Sequence, residues 1–204
     1  MSSTTAVGRR ERTKAANRAA ILGAARDVFS AHGYDGASVR DIVRRTELAP
    51  GTFYNYFPDK ASIFRALVEE TATQARRRVR GARRRGAGAE GYVEGGFRAF
   101  FELVASDPAT FAFLRRNLGT LREQFEGAAL PGGLGELEAD LRAAIARGAL
   151  PPVDVGYCAH AMVAVGLELG RQLVERRPAD VEGATRFATA LFVGGLERLG
   201  ASLG

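Results

Sequence analysis

The stretch from residue 38 to residue 60 starts and stops helices every few residues, and this limits the possible folds more than any other feature of the sequence. Ser38 is a favourable N-cap, and the apolar residues after it predict a short helix over residues 39–46. Three residues then make a tight connection to Pro50, which suits the first turn of another helix that ends near Phe57. Two short helices joined by a tight turn indicate a helix-turn-helix.

Four aromatic side chains crowd the second of these short helices. Phe53 and Phe57 are four positions apart and therefore share one face. On that face they can meet a small apolar core, which consists of Val39, Ile42 and Leu48. Tyr54 and Tyr56 then point outward, although the spacing alone equally allows the two rings to be partly buried.

The flanking segments complete a small amino-terminal domain. An apolar stripe of helical period covers residues 14–31, and Gly33 is placed to end that helix. A long helix starts near Asp59 and runs into a basic, glycine-rich segment, where we expect a domain boundary. The expected organisation is a flexible basic arm over residues 1–13, a helix-turn-helix domain over 14–58, a connecting helix over 59–85 and a second domain over 86–204.

The second domain keeps the same helical spacing to its end. Apolar residues recur three or four positions apart from Tyr92 onward, and two long apolar segments, about 153–175 and 180–199, finish the chain. No segment shows the alternation of a β-strand. The sequence therefore predicts an all-α protein with about nine helices.

Charge is distributed unevenly between the two predicted domains. Residues 1–90 have a net charge of +9, whereas residues 91–204 have a net charge of −3. A basic amino-terminal region indicates a polyanionic partner for that region alone. Exposed hydroxyl groups, Lys60 and Arg40 suit duplex DNA, because hydroxyls and lysine bind phosphates and an arginine can pair with a guanine edge.

The motif "SVRDIVRRTELAPGTFYNYFPDKASIF", preceded by "ILGAARDVFSAHGYDGAS", resembles the DNA-binding domain of the TetR family of transcriptional regulators. The resemblance covers about residues 14–68. It implies a homodimer that places its third helices in successive major grooves of a palindromic DNA operator. It also implies a ligand-responsive regulator, with repression the favoured mode, that a small molecule bound in the carboxy-terminal domain releases from DNA.

By motif position, the resemblance implies a set of DNA-contacting residues. Lys60 is expected to reach a phosphate, and Arg40 lies where the second helix meets the DNA. Asn55 either reads a base or faces solvent. The expected contacts are Ser38, Val39, Arg40, Pro50, Gly51, Thr52, Tyr54, Asn55, Tyr56 and Lys60.

The last two long helices are expected to form the dimer interface. Small residues in the first of them permit a close approach of helices, and two such helices per subunit would make a four-helix bundle across a two-fold axis. The alternative is that both are core helices of a monomer. The expected interface residues are Ala164, Leu167, Phe187, Leu191 and Leu196.

The middle helices are expected to hold a small hydrophobic effector, because they combine many phenylalanines with few polar residues. The expected ligand-binding residues are Phe97, Phe100, Phe101, Phe111, Leu114, Arg115, Leu118, Phe125 and His160. The segment "FFELVASDPATFAFLRRNLG" more loosely resembles family members that respond to long-chain acyl-CoA, so a fatty acyl-CoA or a fatty acid is one candidate effector. The alternatives are a solvated helix edge for Arg115 and a core position for His160.

Other classes of function lack support in the sequence. We expect no enzyme, because no paired catalytic constellation, metal motif or phosphate loop is present, and we expect no cofactor and no metal. The single cysteine, Cys158, excludes an internal disulfide. No apolar run approaches the ~18 residues of a membrane span, so no membrane partner is expected and a cytoplasmic location is. A non-specific architectural DNA-binding protein is the alternative function.

Overall fold

The computed structural model describes residues 3–117, 119–120 and 133–202, and within these residues it is entirely helical, with no strand. Nine helices of five or more residues are present in the described part of the chain. They are α1 (Ser3–Gly36), α2 (Val39–Arg44), α3 (Pro50–Tyr54), α4 (Lys60–Arg85), α5 (Gly88–Ser106), α6 (Pro108–Arg116), α7 (Gly133–Ala146), α8 (Val155–Glu175) and α9 (Val181–Ser202).

The first helix is longer than predicted at its amino-terminal end. It begins at Ser3, so most of the segment expected to be a flexible arm over residues 1–13 is helical. The segment has no proline to interrupt a helix, and its three arginines, Arg9, Arg10 and Arg12, favour helix. At the other end, Gly33 has φ 72° and ψ 174° and kinks α1, as a helix-ending glycine was predicted to do.

The chain divides into two compact units: Met1–Glu70 with Ala109–Thr120, and Thr71–Pro108 with Leu121–Gly204. This differs from the division expected from the sequence in two ways. Helix α4 belongs to both units, and almost all of α6 packs with the amino-terminal helices. Phe113 explains the second difference, since its fully buried ring lies 6.3 Å from that of Phe29 and 5.8 Å from that of Phe64.

Asn117, just after α6, fixes this helix to the kink in α1. Its side-chain amide donates to the carbonyl oxygens of Phe113 and Phe29, at 2.8 and 3.4 Å. Its side-chain oxygen accepts the backbone N–H of Tyr34 at 2.7 Å. Asn117 is only 2% exposed, so these bonds satisfy polar groups that water does not reach.

The second unit is built around α5, which packs against α8 and α9, while α7 packs against α8. The rings of Phe97 and Phe192 lie 5.3 Å apart in the core between α5 and α9. Arg98 of α5 also bonds to Glu182 of α9, with 2.7 Å between Nη1 and Oε2. Within the described residues, no helix is both long and apolar enough to cross a membrane.

Candidate nucleic-acid interface and ligand cavity

A capping box fixes the start of α2. The Ser38 side chain accepts the backbone N–H of Asp41 at 3.2 Å, and the Asp41 carboxylate accepts the backbone N–H of Ser38 at 3.1 Å. The Ser38 hydroxyl also donates to this carboxylate, which lowers the pKa of Asp41 below its ordinary value. The N-cap predicted from the sequence is confirmed.

Two buried phenylalanines hold α3 in place. Phe53 and Phe57 are 1% and 5% exposed, and their ring centroids lie 6.1 Å apart. Ile42 of α2 is fully buried in the same unit. Tyr54 is 58% exposed, whereas Tyr56 is half-buried. The predicted inward phenylalanines are therefore confirmed, and of the two tyrosines Tyr54 is the more available to a partner.

The predicted DNA-contacting residues lie on α2, on α3 and directly after α3. Val39, Thr52 and Tyr56 are half-buried, so only part of each is available. At Gly51 an added Cβ would meet nothing within 4 Å, which leaves the backbone open to approach. The exposed members of the set are Ser38, Arg40, Pro50, Gly51, Tyr54 and Asn55.

The basic face of α2 is also exposed. Arg40, Arg44 and Arg45 are all accessible, and Arg45 lies 3.7 Å from the Asp27 carboxylate in a weak surface pair. Exposed arginines next to exposed hydroxyl and amide groups are the combination that binds phosphates and base edges in duplex DNA.

Lys60 has a different environment from the one expected. Its ammonium donates to the backbone carbonyl oxygens of Tyr34 at 2.8 Å and Ala37 at 3.1 Å. It also lies 4.4 Å from the centroid of the Tyr34 ring, a cation–π geometry. Lys60 therefore ties the start of α4 to the end of α1, and only its third N–H remains for a phosphate.

The second unit contains a cavity of about 140 Å³ between α4, α5, α7 and α8. Its walls are largely apolar, and its polar side chains come from α4 and α7. The lining residues are Ala75, Arg76, Val79, Arg80, Arg83, Gly96, Phe97, Phe100, Gly133, Leu134, Glu136, Leu137, Asp140, Met162, Val163, Gly166 and Leu167. An apolar cavity with a few directing polar groups is typical of a small-molecule site.

The expected ligand-binding residues are only partly brought together. Phe97 and Phe100 line the cavity, whereas Phe101 is fully buried without lining it. Phe111, Leu114 and Arg115 belong to α6 in the first unit and do not line this cavity, so their assignment to a ligand site stays a prediction. Leu118 and Phe125 lie outside the described residues. His160 is exposed and bonds to the Gly156 carbonyl oxygen at 2.8 Å, so it is not a cavity residue.

Sequence reasoning missed the polar residues of the cavity. An arginine-rich helix end is usually solvated, yet Arg76, Arg80 and Arg83 of α4 all line the cavity. Their spacing of four and three positions was the available signal, since it places them on one helix face. The carboxylates opposite them, Glu136 and Asp140, are likewise four positions apart on α7.

The expected dimer residues fall into two groups. Ala164 on α8 is exposed, and Phe187 and Leu191 on α9 are 60% and 50% exposed. These three residues are therefore accessible to a second subunit. Leu196 is only 3% exposed and Leu167 lines the cavity, so both side chains point into the second unit, and their place in a dimer interface stays a prediction. The reason is the helical period, which turns these two side chains toward the neighbouring helices.

Among the described residues, no three His, Cys, Asp or Glu side chains are placed to hold a metal ion together. Cys158 is half-buried, and burial raises the pKa of its thiol above the ordinary value. A thiol with a raised pKa is a poor nucleophile at neutral pH.

Comparison with known proteins gives matches to the amino-terminal region in sequence and to most of the chain in structure. The family model described as "Bacterial regulatory proteins, tetR family" matches residues 21–67. This segment includes α2, α3 and the first part of α4. The match thus covers the capping box, the buried phenylalanines and the exposed residues of the candidate interface.

Two curated relatives are similar over the same region. The HTH-type transcriptional regulator UidR of Escherichia coli (strain K12) is 35% identical over 63 residues, which is 31% of this chain and 32% of that protein. The HTH-type transcriptional repressor AcnR of Corynebacterium glutamicum is 40% identical over 58 residues, 28% of this chain and 31% of that protein. The matched region spans about a third of the length of these relatives.

One solved structure is similar over most of the chain. The transcriptional regulator FadR from Bacillus subtilis, solved in complex with stearoyl-CoA, has a TM-score of 0.71 and 26% identity, and the match covers 86% of this chain and 97% of that chain. The predicted all-α class with an amino-terminal helix-turn-helix is confirmed. These similar proteins are regulators, in agreement with the expectation that this chain is not an enzyme.

Proposed function

We propose that the chain, whose residues 21–67 match the tetR family of bacterial regulatory proteins, is a transcriptional regulator of this family that binds a palindromic DNA operator as a homodimer. A small hydrophobic effector in the cavity of the second unit modulates this binding. Repression is the favoured mode, as in the relative AcnR, which is named a repressor.

The observation that best supports DNA binding is the arrangement of α2 and α3. Phe53 and Phe57 are buried, while Tyr54, Asn55 and Arg40 are exposed around them. A helix of five residues cannot be stable alone, so the buried rings must hold it in place for a partner to read its outer side. Hydroxyl groups would then fix the register on phosphates, and Arg40 would read a guanine.

Homodimerisation is supported by the exposed apolar side chains of α9. Phe187 and Leu191 lie one helical turn apart, and each exposes half or more of its surface. Ala164 on α8 is exposed and small, which permits close helix packing. A two-fold dimer through α8 and α9 would present two copies of α3 to half-sites about 34–36 Å apart.

Effector binding is supported by the cavity and by the similar structure. Phe97, Phe100 and Met162 give the cavity apolar walls, and the similar FadR from Bacillus subtilis was solved with stearoyl-CoA. An acyl chain is therefore the favoured apolar part of the effector, and an acyl-CoA is one candidate. An effector shifts the population of the dimer away from the operator-binding conformation, with a coupling of ~1–3 kcal/mol typical of allosteric proteins.

The test is binding to DNA from upstream of the protein's own gene, measured by fluorescence anisotropy with and without random competitor DNA. We expect a preference for the upstream DNA that survives the competitor. The variants Arg40→Ala and Tyr54→Ala should weaken binding at least tenfold, whereas Arg84→Ala, an exposed arginine near the end of α4, serves as the matched control. Equal affinity for upstream and random DNA would refute the proposal and support the architectural alternative.

A further inference from the structure

Among the described charged side chains of the cavity, one arginine is in no ion pair. Arg76 pairs with Glu136 at 3.3 Å, and Arg80 pairs with Asp140 at 3.1 Å. Arg83 is the third arginine on this helix face, and no carboxylate of the described residues lies within ion-pair distance of it. Among the described lining residues, three arginines face two carboxylates, and Arg83 is the arginine that forms no ion pair.

One donor of Arg83 has no hydrogen-bond acceptor in the described part of the chain. Its Nε is inaccessible to solvent and has no acceptor among the described residues. Its guanidinium carbon lies 5.9 Å from the ring centroid of Tyr92, which is 2% exposed and whose hydroxyl likewise has no partner in the described part of the chain. Burial lowers the pKa of Arg83 below its ordinary value. A buried donor without an acceptor is costly, and of these two residues Arg83 is the one that lines the cavity, where a ligand can supply the acceptor.

The backbone also makes room for this arginine. Gly96 of α5 lines the cavity, and a Cβ at this position would lie 2.8 Å from the Nε of Arg83. Any side chain at residue 96 would therefore displace the guanidinium group. The glycine permits Arg83 to cross α5 closely and to reach the cavity.

We propose that this cavity binds an amphipathic carboxylate, whose anionic group accepts hydrogen bonds from Arg83 while its apolar chain lies against Val79, Phe97 and Phe100. The inference rests on the proposed role of the cavity as an effector site. A carboxylate fits because its two oxygens match the fork of a guanidinium group. A single negative charge also balances the excess of one arginine over the carboxylates among the described lining residues.

The size of the cavity limits the buried part of the ligand. Its volume of about 140 Å³ is close to the ~150 Å³ of an engineered cavity that admits benzene, so about six carbon atoms fit inside. Octanoic acid is therefore a suitable probe, and 1-octanol has the same chain without the charge. Octanoyl-CoA distinguishes a free carboxylate from an acyl thioester with its anionic groups farther from the chain.

The experiment is isothermal titration calorimetry of the full-length protein with these three compounds at neutral pH. We expect octanoic acid to bind ~10–100-fold more tightly than 1-octanol, as charge-assisted hydrogen bonds imply. The variant Arg83→Met keeps the unbranched apolar stem of the side chain and removes the guanidinium group, and it should reduce this preference to less than about threefold. Arg84→Met, on the exposed side of the same helix, is the matched control and should keep the preference.

A second variant, Gly96→Ala, tests the same contact if Arg83→Met does not fold. Gly96→Ala keeps the charge but displaces the guanidinium group, and it should also reduce the preference for the acid while 1-octanol still binds. Equal affinity of the wild type for acid and alcohol, binding of octanoyl-CoA without octanoic acid, or an equal loss in Arg84→Met would overturn the inference. Operator binding is measured without ligand, so its failure concerns the proposed function alone.

Discussion

Replacing Lys60 by methionine separates the structural contacts of this lysine from the phosphate contact expected of it. The motif places it where a phosphate contact is expected, but its ammonium donates to the carbonyl oxygens of Tyr34 and Ala37 at 2.8 and 3.1 Å. Met keeps much of the apolar stem and removes the charge and the donors. The Lys60→Met variant should therefore be less stable than the wild type even in the absence of DNA.

The expected magnitude follows from three interactions. Hydrogen bonds to a charged group contribute ~1.5–3 kcal/mol, and the lower end applies here because Lys60 is half-buried. The cation–π contact with the Tyr34 ring adds ~0.5–1 kcal/mol. Part of the loss is recovered when water reaches the two carbonyl groups, so we expect the free energy of unfolding to fall by about 2–3 kcal/mol.

Urea denaturation followed by circular dichroism, at one fixed protein concentration, measures this change. Lys14→Met is the matched control, because Lys14 is the other lysine of the chain and is exposed on α1. It should shift the free energy by less than about 0.5 kcal/mol. The reasoning is refuted if both variants are equally stable and Lys60→Met instead reduces the slope of log K against log salt by about one, the signature of a lost phosphate contact.

Three further changes test other parts of the structure. Asn117→Asp sets a carboxylate oxygen against the carbonyls of Phe29 and Phe113, so urea denaturation at pH 7 should show a loss of about 3 kcal/mol. This loss should shrink as acid protonates the new side chain. Ser38→Ala should cost about 1 kcal/mol in the same assay and raise the pKa of Asp41 toward 3.8 by nuclear magnetic resonance, because the hydroxyl that lowers it is gone. Phe187→Glu should weaken the dimer by more than about 2 kcal/mol in sedimentation equilibrium, whereas unchanged dimerisation would place the interface elsewhere.

The amino-terminal site could be predicted because its determinants are local. Ser38 and Asp41 are three positions apart, and Phe53 and Phe57 are four positions apart, so spacing alone states which groups meet. The role of Lys60 could not be predicted in this way. Its two carbonyl partners lie 26 and 23 residues earlier, and they become acceptors only because α1 kinks and ends there.

The cavity was less predictable because helix faces become ligand walls only when several helices pack together. Periodicity indicated that Phe97 and Phe111 were both apolar inward positions, and both are indeed buried. It gave no means to assign the first to the cavity and the second to the other unit. Arg83 shows the same limit for a charged residue. An arginine-rich helix end is usually solvated. Only the folded structure shows that Arg76 and Arg80 pair with carboxylates of α7 whereas Arg83 forms no ion pair with a described residue.

Helix α4 runs from the first unit, with its candidate nucleic-acid interface, into the cavity of the second unit. It is therefore a physical route by which a ligand in the cavity can affect DNA binding. Lys60 lies in its first turn, and Arg83 lies 23 positions later on the same uninterrupted helix, a span of about 35 Å at 1.5 Å per residue. A ligand that engages Arg83 with different strength in two conformations would therefore bias the position of the end that Lys60 ties to α1. Since a ligand shifts an equilibrium only by its difference in affinity for the two states, the unpaired charge of Arg83 is the feature of the cavity best suited to produce that difference.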